Sequence, residues 1–523
     1  MGRRRHLLIA GGLTAAALST GGSLTYYDET LPTTLNPLYA SSMVDFRSQE
    51  LIFDRLWFNS SINNELESRV VDSWEMADGG RAIRLTLKSG IKWHDGKSFT
   101  SKDICFTVQA MLDPGTPSPI AEGYRDILAG CKTEGNSVAK VTFKKVFHNP
   151  RQRLGFAVLP RHAFRGNTRI SPDLEFSARP IGTGAMKGSR GTRGVVFSAV
   201  ENPHHRAKIP QLQMQEGNDP LLQVRAIMNN AVQGIIAVSP PYRAEISARD
   251  ELALKSYDLR SWWFIALNTA KAPLNNAKVR QALDYILDRN ELREKSIGVK
   301  PGERNSPCEF ISGPFVQSSP YYNRQVPTKD RSDMAKASAL LTEAGLKKTG
   351  GTWSSRGAAV NFRLGMLKSM NTEAPDLLEY VGNQFGAAGF GRQSFKISTD
   401  EWNREMLTGK AKNYDMLIGK WSFGQVEDVN DLFNTRKTGK GTRNIFNYSR
   451  ADVDKLLDNY DRAKTDTAAK DAYHKLHAYL ADDLPYLFLW KLDTKSAWRT
   501  EVKSNTISPY FYFTEFDSWK YDG

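Results

Sequence analysis

Cysteine is almost missing. Three residues in 523, Cys105, Cys131 and Cys308, are too few for a disulfide scaffold and lack the CxxC spacing of a zinc or haem site. Histidine is scarce as well, at eight residues. The closely spaced pairs, His204-His205 and His474 with His477, have no HExxH pattern or cysteine partner and read as surface or satisfied histidines, so no metal and no cofactor is expected. There is no G-x-S-x-G, no S-x-x-K at a helix start with its usual partners, and no recognisable pair of catalytic carboxylates. The chain is therefore expected not to be an enzyme. Long apolar runs are absent and the mean hydropathy is −0.47, which excludes a polytopic membrane protein. Internal repeats, low-complexity tracts and Gly/Ser linkers are also lacking.

Charge of one sign is not scarce: 71 Lys+Arg face 57 Asp+Glu, a net +14. The excess is scattered, with short clusters such as Lys144-Lys145 and Lys347-Lys348 set among acids and no Arg-rich helix or arm, so nucleic acid is not an expected partner. The length corresponds to three or four domains, or fewer large lobes.

Arg3-Arg4-Arg5 precedes a short apolar stretch from Leu7 to Leu18 that ends in small residues around Ala15-Ala16-Ala17, the three-part pattern of a cleavable export signal over residues 1–22. Arg4-Arg5 also matches the twin-arginine pattern, which leaves the Sec and Tat routes both open. No cysteine lies near residues 15–25, so a lipid anchor is not expected, and a freely diffusing periplasmic protein is. In that oxidising setting Cys105 and Cys131, 26 positions apart, are a candidate disulfide that leaves Cys308 over.

The alternation Ile83-Arg-Leu-Thr-Leu87 predicts a strand with one apolar face, His94-Asp-Gly-Lys97 a tight turn, and Thr100-Ser-Lys-Asp103 the capped start of a helix running to Met111. Pro180-Ile-Gly-Thr-Gly184 lacks the lysine of a P-loop and the third glycine of a dinucleotide fingerprint, and reads as a tight turn between two strands. Trp262 to Leu267 is a continuous apolar run, expected as a buried strand near a lobe boundary. Val279, Ala282, Leu283 and Ile286 form one face of a helix, and Asp333 and Gly345 bracket another. Leu484 to Trp490 predicts a further apolar strand.

Taken in order, Leu35-Asn36-Pro37, the Trp93 to Asp103 block, Pro180 to Gly184, Asn268 to Pro273, Val279 to Leu283 with Asp288-Arg289, and Asp333 to Gly345 resemble the family 5 extracellular solute-binding proteins, the oligopeptide, dipeptide and nickel-chelate receptors of ABC importers. The resemblance implies an α/β, two-lobed periplasmic-binding-protein fold of type II, with an enlarged first lobe and a two-segment hinge. The first lobe would comprise residues 24–262 plus 487–523, with an extra subdomain at about 45–170, and the second lobe 263–486. It implies a monomer that captures an oligopeptide or peptide-like solute between its lobes and hands it to an inner-membrane ABC permease. A non-transport sensor on the same fold, or a receptor for a nickel chelate or haem, is the alternative left open.

By the same resemblance Trp402 and Trp421 are the cleft tryptophans, and Leu31 and Thr33 lie on a strand edge that pairs with peptide. Gly424 stands where such receptors carry an aspartate for the ligand's ammonium group. Glu427 and Asp428 are the neighbouring carboxylates able to replace that aspartate, or else to cap the next helix.

Overall fold

In the computed structural model all seven residues of the strand Ser261–Leu267 are buried, which requires a neighbour on each edge and cover on both faces. Its neighbours are Tyr486–Leu492 and Met416–Ser422, both antiparallel to it, and the six-stranded sheet continues through Asn361–Leu367 to Gly391–Ile397, with Cys308–Phe310 on the far edge. The structure describes residues 22–59, 65–257, 260–299, 308–398, 401–402, 413–423, 426–435, 443–507 and 512–523. The expected export signal, Gly22 apart, lies outside these residues, and so does Gly424.

A second sheet of seven strands runs Leu252–Tyr257, Thr494–Arg499, Gly234–Ile235, Leu24–Asp28, Gln211–Glu216, Gly194–Ala199, Met186–Arg190. Leu24–Asp28 pairs in parallel on both sides, with Gln211–Glu216 and with Gly234–Ile235. A third, four-stranded antiparallel sheet (Val71–Ala77, Ala82–Leu87, Val138–Phe143, Leu128–Glu134) packs on the helix Ser101–Leu112 over its own core, which draws on residues from Leu38 to Ile170. Among the described residues no helix is long and apolar enough to cross a membrane.

The chain passes between the two larger sheets twice, after Tyr257 and between Leu492 and Thr494. These crossings shift the expected lobe boundaries. Trp262 belongs to Ser261–Leu267, and residues 487–492 to Tyr486–Leu492, so both segments expected in the first lobe lie in the six-stranded sheet. The apolar run Leu484 to Trp490 reveals a buried strand but not its ladder partner.

Local chemistry forms the elements as their sequences indicate. Ile83 and Leu85 are fully buried between the half-exposed Arg84 and Thr86. Thr100 and Asp103 close a capping box on Ser101–Leu112, with the Thr100 amide donating to Asp103 at 2.8 Å. Val279, Ala282, Leu283 and Ile286 of the helix Ala277–Ile286 all enter the second-lobe core, and Asn276 supplies the cap. Asp333 caps Met334–Glu343, and Gly345 at φ +84° turns the chain out of it. Cys105 and Cys131 form a disulfide from the helix Ser101–Leu112 to the strand Leu128–Glu134, while Cys308 is buried outside it.

Because that bridge spans 26 positions, replacing both cysteines with alanine is expected to cost about 3 kcal/mol of stability. Urea unfolding of wild type and the double variant checks this, and a loss under about 1 kcal/mol would show that helix packing alone holds the third sheet.

Candidate ligand-binding cleft

The residues around the cleft are placed by polar side chains acting on the backbone. Asn36 caps the short turn Pro37–Tyr39 by accepting from the Leu38 amide at 3.1 Å. Ser118 caps the helix Pro119–Arg125 through the Ala121 amide at 2.9 Å and donates its hydroxyl to the Leu38 carbonyl, which joins the two segments. Ser42 and Asp45 form a capping box on the helix Met43–Glu50, which carries Met43 and Phe46. His94 accepts from the Gly182 amide at Nδ1, at 3.2 Å, which leaves its Nε2–H to donate to the Gly184 carbonyl at 2.9 Å.

Pro180 to Gly184 is not the expected strand-to-strand turn. It leads from a short turn at Glu175–Ser177 into the strand Met186–Arg190 and lies against the backbone of Leu51 and Ile52. A Cβ on Gly182 would stand 1.8 Å from the Ile52 carbonyl oxygen, so this position tolerates no side chain.

Between these segments and the second lobe lies a cavity of about 720 Å³. One wall is mostly apolar, with Pro37, Leu38, Met43, Phe46, Ile120, Tyr124, Phe147 and Phe156, and carries the cations Arg55, Lys145 and Arg153 and one carboxylate, Asp126. The opposite wall presents Ser422, Phe423, Asn430 and Asn434 with the carboxylates Asp428, Asp431 and Asp461. Arg55 donates to the Gly155 carbonyl at 2.7 Å, and burial lowers its pKa. Behind it burial lifts the Glu50 carboxyl to about 8, despite a hydrogen bond from the Phe513 amide.

Arg153 crosses the cleft. Its Nη1 donates to Asp428 at 3.1 Å and its Nη2 to Asp461 at 2.9 Å. Lys145 joins at 2.7 Å from Asp461, and the His148 amide donates to the Asp461 carbonyl at 3.0 Å. Arg153 and Asp461 are nearly inaccessible, at 6% and 7% of side-chain exposure. Burial opposes charge on Arg153, but the two aspartates outweigh it and raise its pKa. Asp428 is likewise held below its ordinary pKa, because Arg153 and the Asn430 amide overcome the cost of burial.

The residues singled out from the sequence divide. Asp428 is in the cavity wall, but its carboxylate is engaged by Arg153 and by the amide and side chain of Asn430, the latter two at 2.8 Å. It therefore closes the cleft and holds the first residue of the short helix Asn430–Phe433, whose N-cap position is Val429. Glu427 is buried against Arg260 in an ion pair, away from the cavity lining. Thr33 does not present a free edge: its amide and hydroxyl both donate to Asp45, at 2.6 Å and about 3 Å. Leu31 packs on the first-lobe core, and neither residue lines the cavity.

Trp402 and Trp421 are half-buried against the second-lobe core. Trp421 sits opposite Trp262 in the ladder, next to the lining residue Ser422, with its indole N–H unpartnered. His477 is held by Ser312 and by the Asn323 amide, and His474 by the Pro320 carbonyl, so that pair does not converge. Sequence reasoning missed Arg153, Lys145 and Asp461, whose partners lie hundreds of positions away and leave no local pattern.

Two α/β lobes closing on a solute-sized cleft define a two-lobed solute-binding protein. The chain belongs to the bacterial extracellular solute-binding proteins, family 5: the sequence model described as "Bacterial extracellular solute-binding proteins, family 5 Middle" matches residues 65–443. It is 23% identical to the oligopeptide-binding protein AppA of Bacillus subtilis over 95% of this chain and 91% of that protein. The solved structure of AppA from Bacillus subtilis with a nonapeptide superposes with a TM-score of 0.82 at 20% identity, covering 96% of this chain and 99% of that one. NikZ from Campylobacter jejuni with Ni(L-His) gives 0.80 at 20% identity, covering 95% and 99%. The fold and family read from the sequence are thus borne out.

Removing Arg153 leaves Asp461 with only the half-exposed Lys145 and Asp428 with only its Asn430 hydrogen bonds when the lobes touch, a loss of about 3 kcal/mol, or roughly a hundredfold in the closed-to-open ratio. Arg153→Met is accordingly expected to enlarge the radius of gyration measured by small-angle scattering without ligand. An unchanged radius would show that other contacts hold the lobes together.

Proposed function

We propose that this chain is an exported, monomeric receptor that captures an oligopeptide or peptide-like solute in the interlobe cleft and delivers it to an inner-membrane ABC permease. The observation that carries this reading is the cleft's asymmetry, a largely apolar wall bearing cations opposite a wall of carboxylates and amides. A zwitterion with an apolar body fits both walls at once, and a volume of about 720 Å³ lies within the usual range of ligand sites. The buried Nε–H of Arg153, which has no partner, offers a donor for a ligand oxygen. Relatives named for oligopeptides and dipeptides support the substrate class, whereas NikZ with its nickel–histidine chelate shows that the fold alone does not choose it.

In this reading residues 1–22 are the cleaved signal, the protein carries no lipid anchor and binds no nucleic acid. The first lobe comprises about 24–257 with 494–523, including the subdomain at about 45–170, and the second about 261–492. The two crossings act as the hinge, and closure follows from ligand contacts that only the closed form collects. Trp421, next to the lining residue Ser422, and Trp402 keep a ligand role on the resemblance alone. With Glu427 and Asp428 both occupied by arginines, neither stands in simply for the aspartate missing at Gly424.

Native mass spectrometry of the protein isolated from its exported compartment, followed by denaturation, is expected to release a ladder of peptide masses. A single non-peptide mass or a metal chelate would overturn the peptide reading, and an empty protein indifferent to peptide pools would favour the sensor. With a captured peptide in hand, Trp421→Ala is expected to weaken binding about tenfold or more in calorimetric titration with the fold intact. Unchanged affinity would remove Trp421 from the site.

A further inference from the structure

Outside the cleft, one buried cluster gathers ligating side chains from three distant parts of the chain. His204 and His205 both turn their Nε2 atoms onto Asp54, at 2.9 Å from Oδ2 and 3.0 Å from Oδ1. The three ligand atoms lie within 4.8 Å of one another. Donors about 2.0–2.1 Å from one tetrahedral zinc ion stand roughly 3.3 Å apart, so the two contacts to Asp54 open slightly and the widest pair closes to seat the ion. His205 Nδ1 is in turn 2.6 Å from Asp517 Oδ2, the outer carboxylate that metal-bound imidazoles usually have.

The arrangement is held from behind. Asp54 donates its amide to Thr183 Oγ1 at 3.3 Å, and Asn202, which opens the histidine turn, donates its side-chain amide to the Thr183 carbonyl at 2.9 Å. The turn closes through the His205 amide on the Asn202 carbonyl at 3.2 Å. Both halves of the cluster are therefore fixed on one residue. Asp54 and His205 are nearly buried, at 4% and 5% exposure, while His204 reaches the surface enough to give an ion a way in.

We propose that Asp54, His204 and His205 form a zinc site, with Asp517 orienting His205 and a water taking the fourth position. Two imidazoles and one carboxylate suit zinc better than the harder magnesium or calcium. Asp54 and Asp517 both face His205, and both also feel Arg69. The site would clamp the carboxy-terminal segment onto the residue next to Arg55 in the cleft wall, and it does not depend on what the cleft binds.

The test uses the tag-free mature chain, stripped with a chelator and titrated with zinc chloride. Calorimetry is expected to give one zinc per chain and a higher melting temperature. His204→Gln, chosen because His204 is partly exposed and the fold should tolerate it, is expected to lose at least tenfold in affinity. Asp517→Asn is expected to lose about ten- to a hundredfold. Cobalt in place of zinc should give the visible absorption of a tetrahedral site in wild type and not in His204→Gln, with circular dichroism confirming that the variant is folded. Failure to bind stoichiometric zinc, or binding unchanged in His204→Gln, would overturn the proposal.

Discussion

A single guanidinium answers two carboxylates across the cleft, and the closed arrangement depends on it. Arg153 reaches from the first-lobe side to Asp428 and Asp461, which belong to separate segments of the second lobe. In water such pairs contribute little, but here Arg153 and Asp461 are nearly shut off from solvent and each is costly without its partner. Lys145, still 42% exposed in its side chain, adds a weaker contact to the same Asp461. The lobes thus meet through a few strong, directional bonds at one place, and the large apolar wall beside them stays available to a ligand. A receptor that closed by burying that wall against the opposite lobe would have no room for cargo.

The short motifs that mark the family in the sequence serve mainly to hold backbone in place. Asn36 and His94 each accept from a main-chain amide near the cleft, and Gly182 permits backbone to lie against Ile52. None needs to touch a ligand to matter. They set the positions of Leu38 and Arg55, which do line the cavity. Their order along the chain reports the frame of the site, whereas its chemistry resides in residues that follow no motif.

This division explains what could be read from the sequence. Capping boxes, the alternation at Ile83–Leu87 and the helix face from Val279 to Ile286 are local patterns, and the structure contains them where they were expected. The strand at Tyr486–Leu492 was visible as an apolar run, but its place in the second-lobe sheet was not, because a ladder partner leaves no trace in a strand's own composition. Arg153 and Asp461 are separated by 308 positions, and nothing near either one announces the other. Thr33 looked like an exposed edge until Asp45, twelve positions on, took up both its donors.

The first-lobe sheet places Leu24–Asp28 only one strand away from Thr494–Arg499, with Gly234–Ile235 between them. All strands of the six-stranded sheet, by contrast, come from the uninterrupted stretch between residues 261 and 492. During synthesis the second lobe therefore has its whole complement of strands before the first lobe can complete its centre. Folding of the chain is ordered by this inlay: the inserted lobe forms as a unit, and the host lobe closes around its two connections once the Thr494–Arg499 strand arrives to pair with Gly234–Ile235 and Leu252–Tyr257.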